Sequence, residues 1–151
     1  INLGSAILIP EDYVDDLTLR LGLYKRLSTF TTVEEIDNFA AELVDRFGKL
    51  PREVNNLLQV YELKLICKNA FISTLDVGPK GFLIGFYENK FPNFDELITF
   101  LQSKEMAKRT KIRSDHKIFI HFESGDLQNR FLVCQKICKK MLSFVSTVDT
   151  R

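Results

Sequence analysis

The chain is 151 residues long, 45% hydrophobic and 27% charged, a composition of folded globular proteins rather than of disordered or fibrous ones. Its 21 basic and 20 acidic residues leave a net charge of +1, which argues against a dedicated nucleic-acid module, since those are usually strongly basic. No apolar run approaches the roughly 18 residues of a membrane span and no secretory-type leader opens the chain. Three cysteines, an odd number, point to a reducing cytoplasm rather than to a disulfide framework. The length suits one domain over residues 1–151, and Ile1 in place of Met reads as a piece of a longer polypeptide.

Residues Ser5 to Ile9 form an apolar run that predicts a short extended segment, stopped by Pro10. A first helix is expected over about Asp15 to Thr29, with Leu17, Leu21, Tyr24 and Leu27 or Ser28 inward and Arg20, Lys25 and Arg26 outward.

The second helix is written most completely. Thr32 and Glu35 make a capping box, in which hydroxyl and carboxylate each satisfy an orphan backbone N–H. Val33, Ile36, Phe39, Ala40, Leu43, Val44 and Phe47 recur at helical spacing as one apolar stripe. Gly48 suits a left-handed cap, and Pro51 suits the first turn of a third helix. At about 100° per residue, Glu34, Glu35, Asn38, Glu42 and Asp45 fall opposite the stripe as an acidic ridge. Taken alone, such a ridge is most simply a solvated face.

The third helix runs from Pro51 to about Lys68, with Val54, Leu57, Leu58, Tyr61 and Leu65 inward. The period then changes from helix to strand. Phe71 to Val77 and Phe82 to Tyr87 flank Gly78-Pro-Lys-Gly81, a hairpin pattern. Asn93 with Glu96 caps a fourth helix through about Ser103, burying Phe94, Leu97, Ile98 and Leu101. Arg109 to Arg113 and Lys117 to Glu123 form a second strand pair around Ser114-Asp-His116. A last helix follows Gly125 with the seam Leu127, Phe131, Cys134, Cys138, Met141 and Val145, and Ser146 to Arg151 read as a frayed end. The fold class is therefore α+β: three N-terminal helices, then a small, mainly antiparallel sheet of two hairpins with two further helices packed on it.

Catalytic chemistry finds no support. There is no phosphate-binding loop, no serine in a nucleophile elbow, and no residue set that suggests a cofactor. Cys134 and Cys138 share a helix face, with His116 and His121 on the preceding hairpin, but thiols inside an apolar seam read as packing groups rather than zinc ligands. Arg109, Lys111 and Arg113 alternate, which places all three on one face of a strand, with Lys104, Lys108 and Lys117 nearby. One use of that strip is contact with phosphate backbone, which makes a nucleic-acid-contacting module the alternative function. The other is a charged edge strand that blocks sheet-to-sheet association. No aromatic interleaves the strip, and that favours the second use.

The words of the second helix carry a family resemblance. Glu42-Leu-Val-Asp-Arg-Phe-Gly-Lys-Leu-Pro51 resembles the E-L-x-D-R-F-G-x-L-P signature of the C-terminal domain of bacterial transcription-repair coupling factors. Ile1-Asn-Leu-Gly4, Ile9-Pro-Glu-Asp-Tyr13 and Arg20-Leu-Gly-Leu-Tyr-Lys-Arg-Leu27 agree in order and spacing, so the likeness covers residues 1 to about 65. Beyond residue 70 it is one of pattern. The family tends to place Gly after the third helix, where this chain has Phe71, so Asn69 is expected to supply the left-handed residue.

The resemblance implies a cytoplasmic, non-catalytic and regulatory C-terminal piece of a larger ATP-dependent DNA translocase. That parent displaces stalled RNA polymerase and recruits the excision-repair protein UvrA. The domain would dock on the N-terminal UvrB-like module of its own polypeptide and mask the UvrA-binding surface, without touching DNA or membrane itself. The family's interface positions are Glu42 and Asp45 here. Glu35 and Asn38 join them only by lying on the same ridge, and Arg46, four residues after Glu42, is placed to hold its carboxylate.

Overall fold

The computed structural model describes residues 7–123 and 125–149, and describes no side chain for Leu127 or for residues 146–149. The Ile1–Gly4 block, the seam position Leu127 and the terminal stretch Ser146 to Arg151, beyond its backbone through Asp149, lie outside that description. The chain divides into two compact units within its third helix, after Leu65.

The first unit is helical. Helix α1 spans Leu17–Thr29, α2 Val33–Phe47 and α3 Arg52–Asn69, α3 crossing the division. Its core gathers Ile9, Val14, Leu23, Leu27, Ile36, Phe39, Leu43, Val54, Leu57 and Leu58. Of the expected extended segment, Ser5 and Ala6 lie outside the described residues, and Ile7 to Ile9 pair with no strand; the Ile9 amide donates to the Tyr24 hydroxyl at 2.7 Å.

Helix α1 meets its expected inward face at Leu27 and at Tyr24, partly buried against the core, but not at its start. Leu17 and Leu21 are 59% and 57% exposed, while Leu23 and Leu27 are buried. The inward side runs through Leu23 and Leu27, and local anchors set the start of the helix. Asp16 caps Thr18 and Leu19, and Arg20 donates to the Val14 carbonyl at 2.7 Å. In α2 the apolar stripe is narrower than its sequence suggests: Ile36, Phe39 and Leu43 are buried, but Val44 is 47% exposed. Gly48 ends α2 at φ +93 with its amide on the Val44 carbonyl. Tyr13 ties that end down, its hydroxyl donating to the carbonyls of Leu43 and Gly48 at 3.1 and 2.7 Å.

The second unit is a sheet with helices. Strands β1 (Ile72–Gly78), β2 (Gly81–Phe86), β3 (Thr110–Ile112) and β4 (Ile118–His121) lie in the order β1-β2-β4-β3, every neighbour antiparallel. This is the expected pair of hairpins, joined through β2 and β4. Register puts Leu75, Phe82, Ile84, Ile118 and Ile120 on one face, all buried, and Asp76, Leu83, Phe119 and Lys111 on the other. Helix α6 (Leu127–Asp149) packs on β1 and on α4 (Phe94–Leu101) through its seam of Phe131, Cys134, Cys138, Met141 and Val145.

Three local departures have physical causes. Phe71 itself takes the left-handed conformation after α3, at φ +61, because Asn69 remains helical. Phe94 is 59% exposed, as the first residue of α4 on the turn that projects beyond the core. Helix α4 ends at Leu101, and a short helix α5 (Lys104–Ala107), capped by Ser103 and not expected from the sequence, follows it and buries Met106. No described helix is long and apolar enough to cross a membrane.

Candidate functional site: the outer face of helix α2

Helix α2 presents its ridge because Ile36, Phe39 and Leu43 hold the opposite side in the core. Its start is set by the capping box, slightly displaced from the ideal pattern. Thr32 accepts from the Glu35 amide at 3.2 Å, while the Glu35 carboxylate reaches back to the Thr31 amide at 3.2 Å and the Thr32 hydroxyl at 3.1 Å. Those bonds, the one from the Thr31 amide first, hold the Glu35 carboxyl below its ordinary range. Glu35 is thus committed to the helix end.

Glu42 is committed as well. Arg26 of α1 grips it with both terminal nitrogens, at 2.7 and 2.9 Å, and Arg46 adds a third bond at 3.0 Å. Bidentate guanidinium–carboxylate pairing is the strongest form of charged hydrogen bond. The Arg26 bonds, then the Arg46 bond, bring the Glu42 carboxyl down to about 2. Each arginine also lies on an aromatic ring, Arg26 at 5.0 Å from the Phe39 centroid and Arg46 at 5.0 Å from that of Phe47. The Arg46 contact follows from its spacing to Glu42 in sequence; the Arg26 contact does not, because nothing in the primary sequence says that α1 and α2 lie side by side in that register.

Asp45 stands apart. It is exposed one turn beyond Glu42, and none of the described residues pairs with it. Asn38 is exposed one turn before Glu42. Toward its C-terminal end the ridge is therefore a clamped carboxylate between two arginines followed by a free one, Asp45, while Glu34 is exposed in the first turn, rather than a uniform row of negative charge.

The basic strip is divided by the fold. Lys111 and Arg113 are exposed on the edge strand β3 and its exit, where Arg113 pairs with Asp115 at 3.0 Å. Arg109 does not share their face. It precedes β3, and its guanidinium sits 5.6 Å from the Phe122 centroid, a ring stacked on the buried Phe82. Cation–π attraction turns it to the helical side of the sheet. Register also sets Phe119 directly across from Lys111, an aromatic neighbour invisible within the strand's own sequence. Among the described residues no group of three or more His, Cys, Asp or Glu side chains is placed to hold a metal ion, and Cys67, Cys134 and Cys138 are all buried thiols.

Comparison with known proteins converges on one family. The TRCF domain model matches residues 3–97. The transcription-repair-coupling factor of Rickettsia bellii is 41% identical over 118 residues, 78% of this chain and 10% of that protein. That of Haemophilus influenzae is 34% identical over 131 residues, 81% of this chain and 11% of that protein. The chain thus spans about a tenth of the curated relatives it matches. A solved structure described as the C-terminal domain of transcription-repair coupling factor superposes with a TM-score of 0.69, covering 95% of this chain and 91% of that one, at 14% identity. At that identity the superposition speaks to fold.

Proposed function

This chain belongs to the transcription-repair-coupling factor family through its TRCF domain, and on that footing we propose that it is the regulatory end of such a factor. It is non-catalytic and cytoplasmic, and it needs no cofactor. It docks by the α2 ridge on the N-terminal UvrB-like module of its own polypeptide and covers the surface used by UvrA. The parent is an ATP-dependent DNA translocase that displaces stalled RNA polymerase; its rearrangement on polymerase removes the cover and admits UvrA. Two partners cannot occupy one surface, so the outcome follows from their relative affinities. Tethering supplies a high effective concentration, and a modest contact suffices.

The observation that carries this reading is the contrast between Asp45, exposed and unpaired, and Glu42, immobilised by Arg26 and Arg46. A free carboxylate beside a rigid one gives a partner's arginine a fixed site at little ordering cost. Asp45 then supplies the charge and Glu42 the geometry. The test is UvrA capture by the full-length factor carrying Asp45→Ala. Captured UvrA should rise while the melting temperature of the 151-residue chain stays put; unchanged capture by a properly folded variant would refute the mask.

A further inference from the structure

Away from the α2 ridge, wholly within the second unit, a cavity of about 390 Å³ opens to solvent between the sheet and helices α4, α5 and α6. Its walls are apolar: Phe100, Met106, Ile120, Val133 and Ile137. Its mouth is cationic. Arg109, Lys136 and Lys140 line it, opposed by Glu105 alone among acidic residues. None of these three cations meets a carboxylate among the described residues, and Arg109 and Lys140 rest instead on the rings of Phe122 and Phe144. Lys104 and Lys108, exposed on and just after α5, extend the same charge. In a chain whose net charge is only +1, this is a local concentration of positive charge around an apolar hole.

We infer that this cavity docks an acidic peptide segment that inserts one large apolar side chain. The volume lies at the small end of ligand sites, enough for an aromatic or leucine side chain rather than a folded surface. Free guanidinium and ammonium groups at the mouth complement carboxylates on either side of the inserted residue, which steers and orients such a segment. A nucleobase is a poorer occupant. Apart from Ser103, its polar edge would find hydrogen-bonding groups only at the charged rim and none along the apolar walls, and unmet polar groups are costly to bury.

The test selects phage-displayed random dodecapeptides on the 151-residue chain and measures the winners by fluorescence polarisation. The expected winners place Asp or Glu around a single Phe, Leu, Met or Trp. Their affinity should fall at least about tenfold in Val133→Phe, which fills the hole, and in Lys136→Glu/Lys140→Glu, which reverses the rim. The two lysines are exposed, so the second variant retains the fold even if the first does not. Winners without acidic residues, no enrichment at all, or affinity unchanged in both variants would overturn the proposal. So would a single-stranded oligonucleotide that binds the chain and is lost on charge reversal while no peptide is enriched.

Discussion

Arg26 and Glu42 lie sixteen residues apart in sequence and meet through two parallel hydrogen bonds of 2.7 and 2.9 Å. The pair joins α1 to α2 on the outside of their hairpin, above the Phe39 ring on which Arg26 also rests. Its effect on stability is bounded by exposure, since the two side chains remain 46% and 34% accessible. Its effect on geometry is larger, because it holds the ridge carboxylate in one place.

Arg26→Ala should therefore lower the melting temperature of the chain only slightly, by about 2–4 °C, in keeping with a partly exposed pair worth up to about 1 kcal/mol. In the full-length factor the same change should raise UvrA capture, because Glu42 loses its fixed position. Differential scanning fluorimetry and the capture assay check the two halves separately.

Acid sensitivity follows from the same clamp. The Glu42 carboxyl is lowered from 4.5 to about 2, through the bonds from Arg26 and then Arg46. A carboxyl depressed on folding contributes stability that is complete above its unfolded value and lost as pH falls through its folded value. Glu42→Gln should flatten the stability profile between about pH 5 and pH 2. Urea titrations across that range check it; an unaltered slope would show that the pair forms no better in the folded state than out of it. Glu35, also lowered by the Thr31 and Thr32 bonds, leaves a residual acid dependence in that variant.

Adjacent positions on α2 should differ sharply. Leu43 is fully buried, so Leu43→Ala should cost about 2–5 kcal/mol through lost contacts and a cavity. Val44 is 47% exposed, and Val44→Ala should cost less than about 1 kcal/mol. Chemical denaturation of the two variants side by side measures the difference.

Two glycines should respond in opposite directions to Ala. At Gly81, φ is +151 and an added Cβ would lie 2.1 Å from the Ile120 carbonyl oxygen, backbone that β2–β4 pairing holds in place. Gly81→Ala should destabilise by about 2–4 kcal/mol. Gly22 lies within α1, and an added Cβ would meet nothing within 4 Å. Gly22→Ala should stabilise by about 0.5–1 kcal/mol. Thermal melts of both variants decide it.

Much of the architecture was legible before folding because it is local. The capping box at Thr32, the stop at Gly48 and the hairpin turn at Gly78-Pro-Lys-Gly81 each depend on residues within four or five positions of one another. The inward face of the first turns of helix α1 was misread for the complementary reason. Leu17 and Leu21 fit the periodicity as well as Leu23 does, and Ile9 and Val14, whose bonds to Tyr24 and Arg20 anchor the flank, lie before the helix. The exposure of Val44 and the turning of Arg109 onto Phe122 likewise depend on neighbours from other elements.

Short-range chemistry in the chain settles most of its helices and strands and many of their ends, and that α2 carries carboxylates away from its apolar stripe. Only the packed structure decides which of those carboxylates is free. Hydrogen bonding from Arg26 requires α1 and α2 to stand side by side, and a charge is available to a partner only where no nearer one has already claimed it.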